Sequence, residues 1–386
     1  MTTLPKPNTK EYALSKQLTA DILEEMKSTG YLSFARFMEL ALYAPTLGYY
    51  TNEFAKFGRE GDFVTAPHIS LLFSKCIARQ CKQILKAIGS SDILELGAGS
   101  GLLAKDLLIE LEKQDSLPRH YFILEISPIL RRQQRDLLTA ECPHLLPRIQ
   151  WLDTLPKHPF KGIIFANEVL DALPVHCFEY TNDTIKERSV TFEKNQFSWC
   201  LTPFSPNIQS TIEKKLAGFH FKNHYQSEIN LMLPDFIEAL AKTLDQGTLL
   251  LLDYGYGRHE YYHPDRSEGT LMCCYQHHRH TNPLLLAGLQ DITAHVDFTL
   301  VAEYGTSAGL TLKGLTTQTG FLLALGLLSL AEEEPLTDIQ KYQQNQAIKT
   351  LTLPSRMGEI VKAIAFNKNL DIPLLGFSLY DRRKDL

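Results

Sequence analysis

An α/β architecture built on a Rossmann-like, mostly parallel sheet is what this sequence predicts, on three observations. From Asp92 onward, short apolar runs alternate with helical stretches, the pattern of a sheet covered on both faces. A glycine-rich turn, Gly97 to Gly101, lies between the first such run and the helix after it. A later run, Thr248 to Leu252, is so apolar that it reads as a central strand.

The elements follow in order. Residues Glu11 to Tyr43 read as two amphipathic helices, with Leu14, Leu18, Ile22 and Met26 at helical spacing. Pro45 and Gly48 end that pattern, and an irregular segment runs from Tyr49 and Tyr50 through Gly58, Gly61 and Pro67. Its glycine, charge and aromatic content suits a loop that carries function. Helical spacing resumes from Ile69 to Ile88. Ile93 to Leu96 is the first strand, and a helix follows the glycine turn through Glu110. Tyr121 to Leu124 is the second strand and Pro128 to Leu138 the next helix. Ile149 to Leu152 and Gly162 to Ala166 are the third and fourth strands. From Thr181 to Leu244 the alternation stops; a hairpin-like run, Ile185 to Leu201, and helical segments read as an insertion covering the active edge. After Gly257 comes a loop dense in His, Tyr and Cys, and the runs Leu310 to Thr316 and Glu359 to Phe366 could close the sheet. The organisation expected is therefore N-terminal helices with a glycine-rich loop (1–90), a first part of the core (91–180), an inserted cap (181–245), and completion of the core with a C-terminal extension (246–386).

Composition narrows the function classes. A chain of 386 residues with 44% hydrophobic content can bury one large core or two modest ones. The formal net charge of -5 supplies no bulk positive field for nucleic acid. Seven cysteines, at 76, 81, 142, 177, 200, 273 and 274, are an odd number without framework spacing, which fits a reducing compartment. The polar start, Met1 to Tyr12, has neither the apolar core of a signal peptide nor an arginine-rich amphipathic helix. The longest apolar stretch, Phe321 to Leu330, is about half of the ~20 residues a membrane-spanning helix needs. A soluble cytoplasmic protein is expected.

The glycine turn carries the strongest chemical signal. Glycine permits a tight turn and lets a ligand approach the backbone, although glycine-rich turns also serve plain packing. Glu95 precedes the first glycine, and Glu125 ends the second strand, where an acid accepts hydrogen bonds from both ribose hydroxyls of a nucleoside ligand. S-adenosylmethionine and NAD share that requirement. Three features favour S-adenosylmethionine. The spacing Gly97-Ala98-Gly99-Ser100-Gly101 is G-x-G-x-G, not the dinucleotide G-x-G-x-x-G. Glu95 is placed either to orient the loop or to face the methionine ammonium. Asp153, after the third strand, could accept from the adenine amino group.

The run Gly58-Arg59-Glu60-Gly61-Asp62-Phe63-Val64-Thr65-Ala66-Pro67 resembles the opening signature of the MidA-like methyltransferase family. The resemblance continues through Leu94 to Gly101, Leu124 to Pro128, Ala166 to Val175, Asp253-Tyr254-Gly255 and Asp291 to Phe298, in the family's order over most of the chain. Two positions depart from it: Ala98 stands where the family often has proline, and His68 where it often has glutamate. The resemblance implies a Rossmann-like class I methyltransferase sheet and methyl transfer from S-adenosylmethionine to protein. For its best-known members it implies symmetric dimethylation of an arginine on a respiratory complex I subunit and a part in complex I assembly.

Asn167, Glu168 and Asp171 lie beyond the fourth strand's C-terminal end, the edge where open α/β sheets bind ligands. A guanidinium acceptor is cationic, and carboxylates there would hold it by bidentate hydrogen bonds. The plain alternatives are that Asp171 caps a following helix and Asn167 bonds loop backbone. Asp62 could reach the same cleft, with Gly58 in the same loop, while Arg59 could pair with the methionine carboxylate or the fold's own acids. The run Cys273 to His280 lacks the two separated ligand pairs of a structural zinc site, so no metal is expected. In the family's terms His277 and His280 fall in a loop near the substrate edge, either relaying a proton or fixing the loop. His295 and Asp297 divide between closing the core and reaching the cleft. Two rivals stand beside protein methylation: methylation of a small molecule or another side chain, and an assembly factor that binds the cofactor without turnover.

Overall fold

The computed structural model describes residues 4–54, 65–333 and 335–386. Within these, the chain gathers into two compact units, each assembled from separated stretches of sequence. One holds Met1–Phe63, Asp171–Leu233 and Arg258–His295; the other holds Val64–Leu170, Pro234–Gly257 and Val296–Leu386. The expected 1–90 segment is thus shared between the two; of the expected insertion, 181–233 lies with the N-terminal helices and 234–245 with the other unit.

The second unit contains the α/β sheet. Its strands are β1 (Asp92–Leu96), β2 (Tyr121–Leu124), β3 (Ile149–Leu152), β4 (Phe160–Asn167), β5 (Leu244–Tyr256), β6 (Thr311–Thr317) and β7 (Val361–Lys368). They lie in the order 3-2-1-4-5-7-6, and the two-residue strand Val296–Asp297 pairs with the end of β5. Strands β1 to β5 are mutually parallel, and β7 runs antiparallel to both β5 and β6. The order reverses between β1 and β4, so the turn after β1 opens at a topological switch point. The doubly wound sheet is therefore as the alternation predicts. The run around Thr248 to Leu252 is central, paired on both sides by β4 and β7.

Three helices matter for the site: α1 (Leu71–Ile88), α2 (Leu102–Lys113) and α3 (Pro128–Glu141). Helix α1 presents Phe73, Ile77, Cys81 and Ile84 to the core on a helical stripe. Ser127 caps α3 by accepting from the Leu130 backbone, with Pro128 pre-set at its first turn. All five residues of β1 are buried, two of them acids. At the strand's N-terminal end Asp92 accepts from the Arg119 guanidinium at 2.6 and 3.0 Å, so its burial is compensated.

In the first unit, helices Thr9–Met26 and Phe34–Tyr43 bury Leu18, Ile22, Phe34 and Phe37 in a core with Val175, Cys273 and Ile292. A five-stranded antiparallel sheet joins Leu32–Ser33, Thr184–Glu193, His176–Thr181 and Tyr225–Ile229, with Gln196–Thr202 paired to Thr184–Glu193. The expected loop after Gly257 folds instead into the helix Arg258–Tyr261 and a three-stranded sheet of Met272–Tyr275, His278–His280 and Asp291–Thr293. Its sequence hid a hairpin because the turn residues are Gln276 and His277, at φ 46° and 63°, where Asn-Gly would have announced it. No described helix is long and apolar enough to cross a membrane.

Candidate functional site

The turn after β1 takes its shape from three glycines in the left-handed region: Gly97, Gly99 and Gly101 at φ 60°, 52° and 82°. Gly101 is the N-cap of α2, so the turn ends on that helix's free backbone donors. The Ala98 side chain is buried in the hydrophobic core, which leaves its backbone for any ligand. Glu95, just before the turn, is fully enclosed and accepts from the Tyr121 hydroxyl at 2.9 Å. Burial pushes its carboxyl up to about 7, against the lowering effect of that bond.

Glu125 ends β2 and is also buried. One carboxylate oxygen accepts from the Ser127 N–H at 2.9 Å, the other from the Gln134 amide at 3.1 Å. Burial raises its pKa against those bonds. The Ile126 N–H also bonds this carboxylate, and of its roughly four acceptor positions one stays open for a ligand hydroxyl. Arg131 of α3 donates to Asp153 at 2.5 Å and to the backbone carbonyls of Glu125 and Leu152, tying the ends of β2 and β3 together. Asp153 itself is exposed. Sequence reasoning named neither Arg131 nor Gln134.

On the other side of the switch point, β4 runs into Asn167 and Glu168. Glu168 sits at φ 55°, a region that costs a non-glycine residue roughly 1–2 kcal/mol. Its N–H donates to the Leu252 carbonyl at 2.8 Å. The next two N–H groups, of Val169 and Leu170, donate to one oxygen of Asp253 at 3.0 and 2.7 Å, and the other oxygen accepts from Tyr254 at 2.8 Å. Asp253, fully buried at the end of β5's apolar run, therefore holds this turn in place. The turn lies against the glycine loop: a Cβ added at Gly97 would stand 3.1 Å from the Val169 side chain. The Asn167 amide donates to the Glu168 carboxylate at 3.2 Å. His68, the departure from the family pattern, contacts Ser100 in the glycine loop at 3.0 Å and Thr65 at 2.9 Å.

Residues 76–316 match a family described as S-adenosyl-L-methionine-dependent methyltransferase. A Burkholderia thailandensis protein solved bound to S-adenosyl-homocysteine superposes at TM-score 0.95, with 38% identity over 100% of both chains. The chain belongs to this methyltransferase family. Among curated relatives, "Protein arginine methyltransferase NDUFAF7, mitochondrial" of Danio rerio is 28% identical over 90% of this chain and 86% of its own. The Homo sapiens protein of the same name is 26% identical over 88% and 80%. The methyltransferase is thus an enzyme of the α/β class that the alternation predicts, and its cofactor is S-adenosylmethionine. The residues present fit that cofactor: a turn of left-handed glycines opens onto a helix N-terminus, and beside it a buried carboxylate keeps free acceptor capacity.

One expectation is overturned. The curated relatives are named mitochondrial proteins, which contradicts the cytoplasmic assignment. That assignment rested on cysteine usage, on the polar first residues and on the shortness of the apolar stretches, none of which tells one reducing compartment from another.

The remaining expected residues of the methyltransferase fall elsewhere. Asp171 lies in the other unit, buried, in a turn that leads into the strand His176–Thr181; no helix follows for it to cap, contrary to the plain alternative. Its carbonyl accepts from Ala294, and Tyr43 donates to the Ala172 carbonyl at 2.9 Å. His277 is exposed at the hairpin tip, so its ring projects from a turn rather than a long loop. Asp297 caps the helix Phe298–Ser307 through the Leu300 N–H, a structural task. Gly58, Arg59 and Asp62 lie outside the described residues.

Proposed function

We propose that this methyltransferase modifies an arginine side chain of a protein, with a respiratory complex subunit as the acceptor. Support comes from the relatives named protein arginine methyltransferases and from the family resemblance. The observation that carries the reading is Glu168. A carboxylate held in a costly backbone conformation at the sheet's C-terminal edge, one residue before the Val169 side chain that faces Gly97, is strain kept for a task.

S-adenosylmethionine supplies a methyl group made electrophilic by its sulfonium. The chain's residues would bind and orient around it. Gly97, Gly99 and Gly101 would admit it to the backbone, and Glu125 would accept a ribose hydroxyl. Ile126, an exposed apolar side chain directly after Glu125, would offer surface to the adenine, with Asp153 taking the adenine amino group. Glu95, enclosed against Tyr121, would orient the loop.

On the acceptor side, Glu168 would hold the guanidinium by charge-assisted hydrogen bonds, with Asn167 restraining the carboxylate. As the nitrogen–carbon bond forms and the carbon–sulfur bond breaks, one guanidinium proton must leave, and Glu168 would take it or pass it to solvent. Carboxylates suit arginine better than lysine, whose ammonium must lose a proton before attack while acids nearby raise its pKa. Gly58 and Asp62 stay proposed for the acceptor loop, and Arg59 for the methionine carboxylate, on sequence position alone.

The test is transfer of a radiolabelled methyl group from S-adenosylmethionine to candidate respiratory-complex subunits, followed by mass spectrometry of the labelled peptide. Label on arginine is expected. Label only on lysine, or only on a small product, overturns the acceptor assignment.

A further inference from the structure

Gln134 stands where three parts of the cofactor loop region meet, and its side chain is fully buried. It lies on α3 between Leu130 and Leu138, the one polar member of an apolar stripe at i, i+4 spacing. The Trp151 indole N–H, a donor only, reaches the Gln134 side-chain oxygen at 2.9 Å. That contact settles which end of the amide is which. The amide nitrogen must face the other way, where its two hydrogens meet the Gly99 carbonyl at 2.9 Å and the Glu125 carboxylate at 3.1 Å. Every donor of this amide is used, and each goes to a different neighbour. The backbone of Gly101 also packs on the same residue, since a Cβ there would stand 3.1 Å from the Gln134 Cγ.

We propose that Gln134 is the positioning residue of the cofactor's nucleoside site: one amide fixes the glycine loop at Gly99 and the rotamer of Glu125 together. A buried carboxylate held from one side only could rotate about its last torsion, which is broad and soft. Ser127 holds one oxygen through its N–H, and Gln134 holds the other, so the plane of the carboxylate is set before any ligand arrives. The same amide carries that alignment to the loop, so the distance between Glu125 and the glycine turn cannot drift. A neutral donor suits this place. Arginine or lysine would compete with the ribose hydroxyls for the carboxylate's charge, and a carboxylate would repel it.

The inference rests on the placement of the ribose at Glu125, and the experiment separates the two. Binding of S-adenosylhomocysteine is measured by calorimetry at pH 6 and pH 8 on the full chain, with Trp151 emission and the unfolding midpoint followed in parallel. Gln134→Met keeps the slot filled but removes both donors; a loss of at least about tenfold in affinity at either pH is expected, on the scale of one or two buried hydrogen bonds. Gln134→Glu is the sharper variant. At pH 8 two carboxylates would face one another and the Gly99 carbonyl, and affinity should fall by at least about 30-fold. At pH 6 a shared proton restores one donor, and affinity should recover to within about fivefold of the parent measured at the same pH, a ratio that cancels any change Glu95 brings to both proteins. Where Gln134→Met does not fold, the pH 6 to pH 8 comparison within Gln134→Glu carries the test. Wild-type affinity in Gln134→Met, or the same loss at both pH values in Gln134→Glu, overturns the proposal. Glu125→Ala is the separate control: unchanged affinity there would remove the ribose placement itself.

Discussion

Asp253 accepts the backbone N–H of Leu170 at 2.7 Å, two residues beyond Glu168, and so helps to hold the turn that carries Glu168. The same carboxylate holds Val169 and Tyr254 in part-buried bonds, so its loss would deprive three backbone donors of this acceptor, the Leu170 one fully buried. Each unsatisfied buried donor costs about 1–3 kcal/mol. Asp253→Ala should therefore lower stability by at least about 3 kcal/mol. Asp253→Asn is milder, because its amide keeps one acceptor but sets an N–H against a donor. Methyl transfer should fall at least about tenfold in Asp253→Asn, more than S-adenosylhomocysteine affinity does, because the turn carries Glu168. Equal losses in turnover and affinity would show that Asp253 only supports the fold.

Glu168 separates strain from chemistry. Glu168→Gly relieves the left-handed backbone cost, which is offset in part by glycine's greater freedom in the unfolded chain. The unfolding midpoint should stay level or rise, while methyl transfer falls by at least about 100-fold, or about 2.7 kcal/mol in the transition state. Glu168→Gln should lose transfer to a similar degree with the cofactor still bound. A Glu168→Gly protein with full activity would remove this residue from the mechanism.

Much of the sheet was legible because buried parallel strands read as unbroken apolar runs. Tyr121–Leu124 and Ile149–Leu152 fall where the pattern put them. The left-handed turn at Gly97, Gly99 and Gly101 and the buried acid Glu125 were legible as positions, one from glycine spacing after a strand and the other from an acid at the end of the next. Gln134 was missed although it left a trace, as a polar residue between Leu130 and Leu138 on a buried stripe. Asp253 was visible only as part of a family block, because no spacing reveals that a carboxylate will bond the backbone of a turn more than eighty residues earlier. The grouping of residues 171–233 with the N-terminal helices was illegible for the same reason: pairing of Leu32–Ser33 with Thr184–Glu193 is a long-range event.

Glu95 makes stability depend on pH. Its folded-state pKa, about 7, is raised above the ordinary 4.5 by burial. Between those values the folded chain binds more protons at this site than the unfolded one. Stability contributed here is full at low pH, falls as pH rises from about 4.5 to about 7, and is level above that. The whole effect is on the order of 3 kcal/mol. Glu95→Gln, which stays neutral and can still accept from Tyr121, should unfold at a higher temperature than the parent at pH 8. The gap should narrow as pH falls through 6. A gap independent of pH between 5 and 8 would mean that Glu95 ionises as freely in the fold as outside it.

Two glycines at positive φ separate backbone strain from the role of the loop. Gly89 (φ 87°, ψ −137°) and Gly101 (φ 82°, ψ 2°) both hold angles that strain alanine, Gly89 the more so because its pair of angles is open essentially to glycine alone. Their surroundings differ. Nothing lies within 4 Å of a Cβ placed at Gly89, the C-cap of α1. At Gly101 the new carbon would come within 3.1 to 3.3 Å of three Gln134 atoms, one of them the Cα, so helix α3 itself must give way. That displacement pulls the Gln134 amide from Gly99 and Glu125, which a side-chain rotation could not avoid. Gly89→Ala should therefore lose stability alone, with S-adenosylhomocysteine affinity unchanged. Gly101→Ala should lose stability and also affinity, the latter by at least about tenfold. Calorimetry and thermal unfolding on the pair decide the matter: equal affinity in the two variants would mean that the cofactor tolerates a shifted α3, and that the contact between Gly101 and Gln134 is only packing.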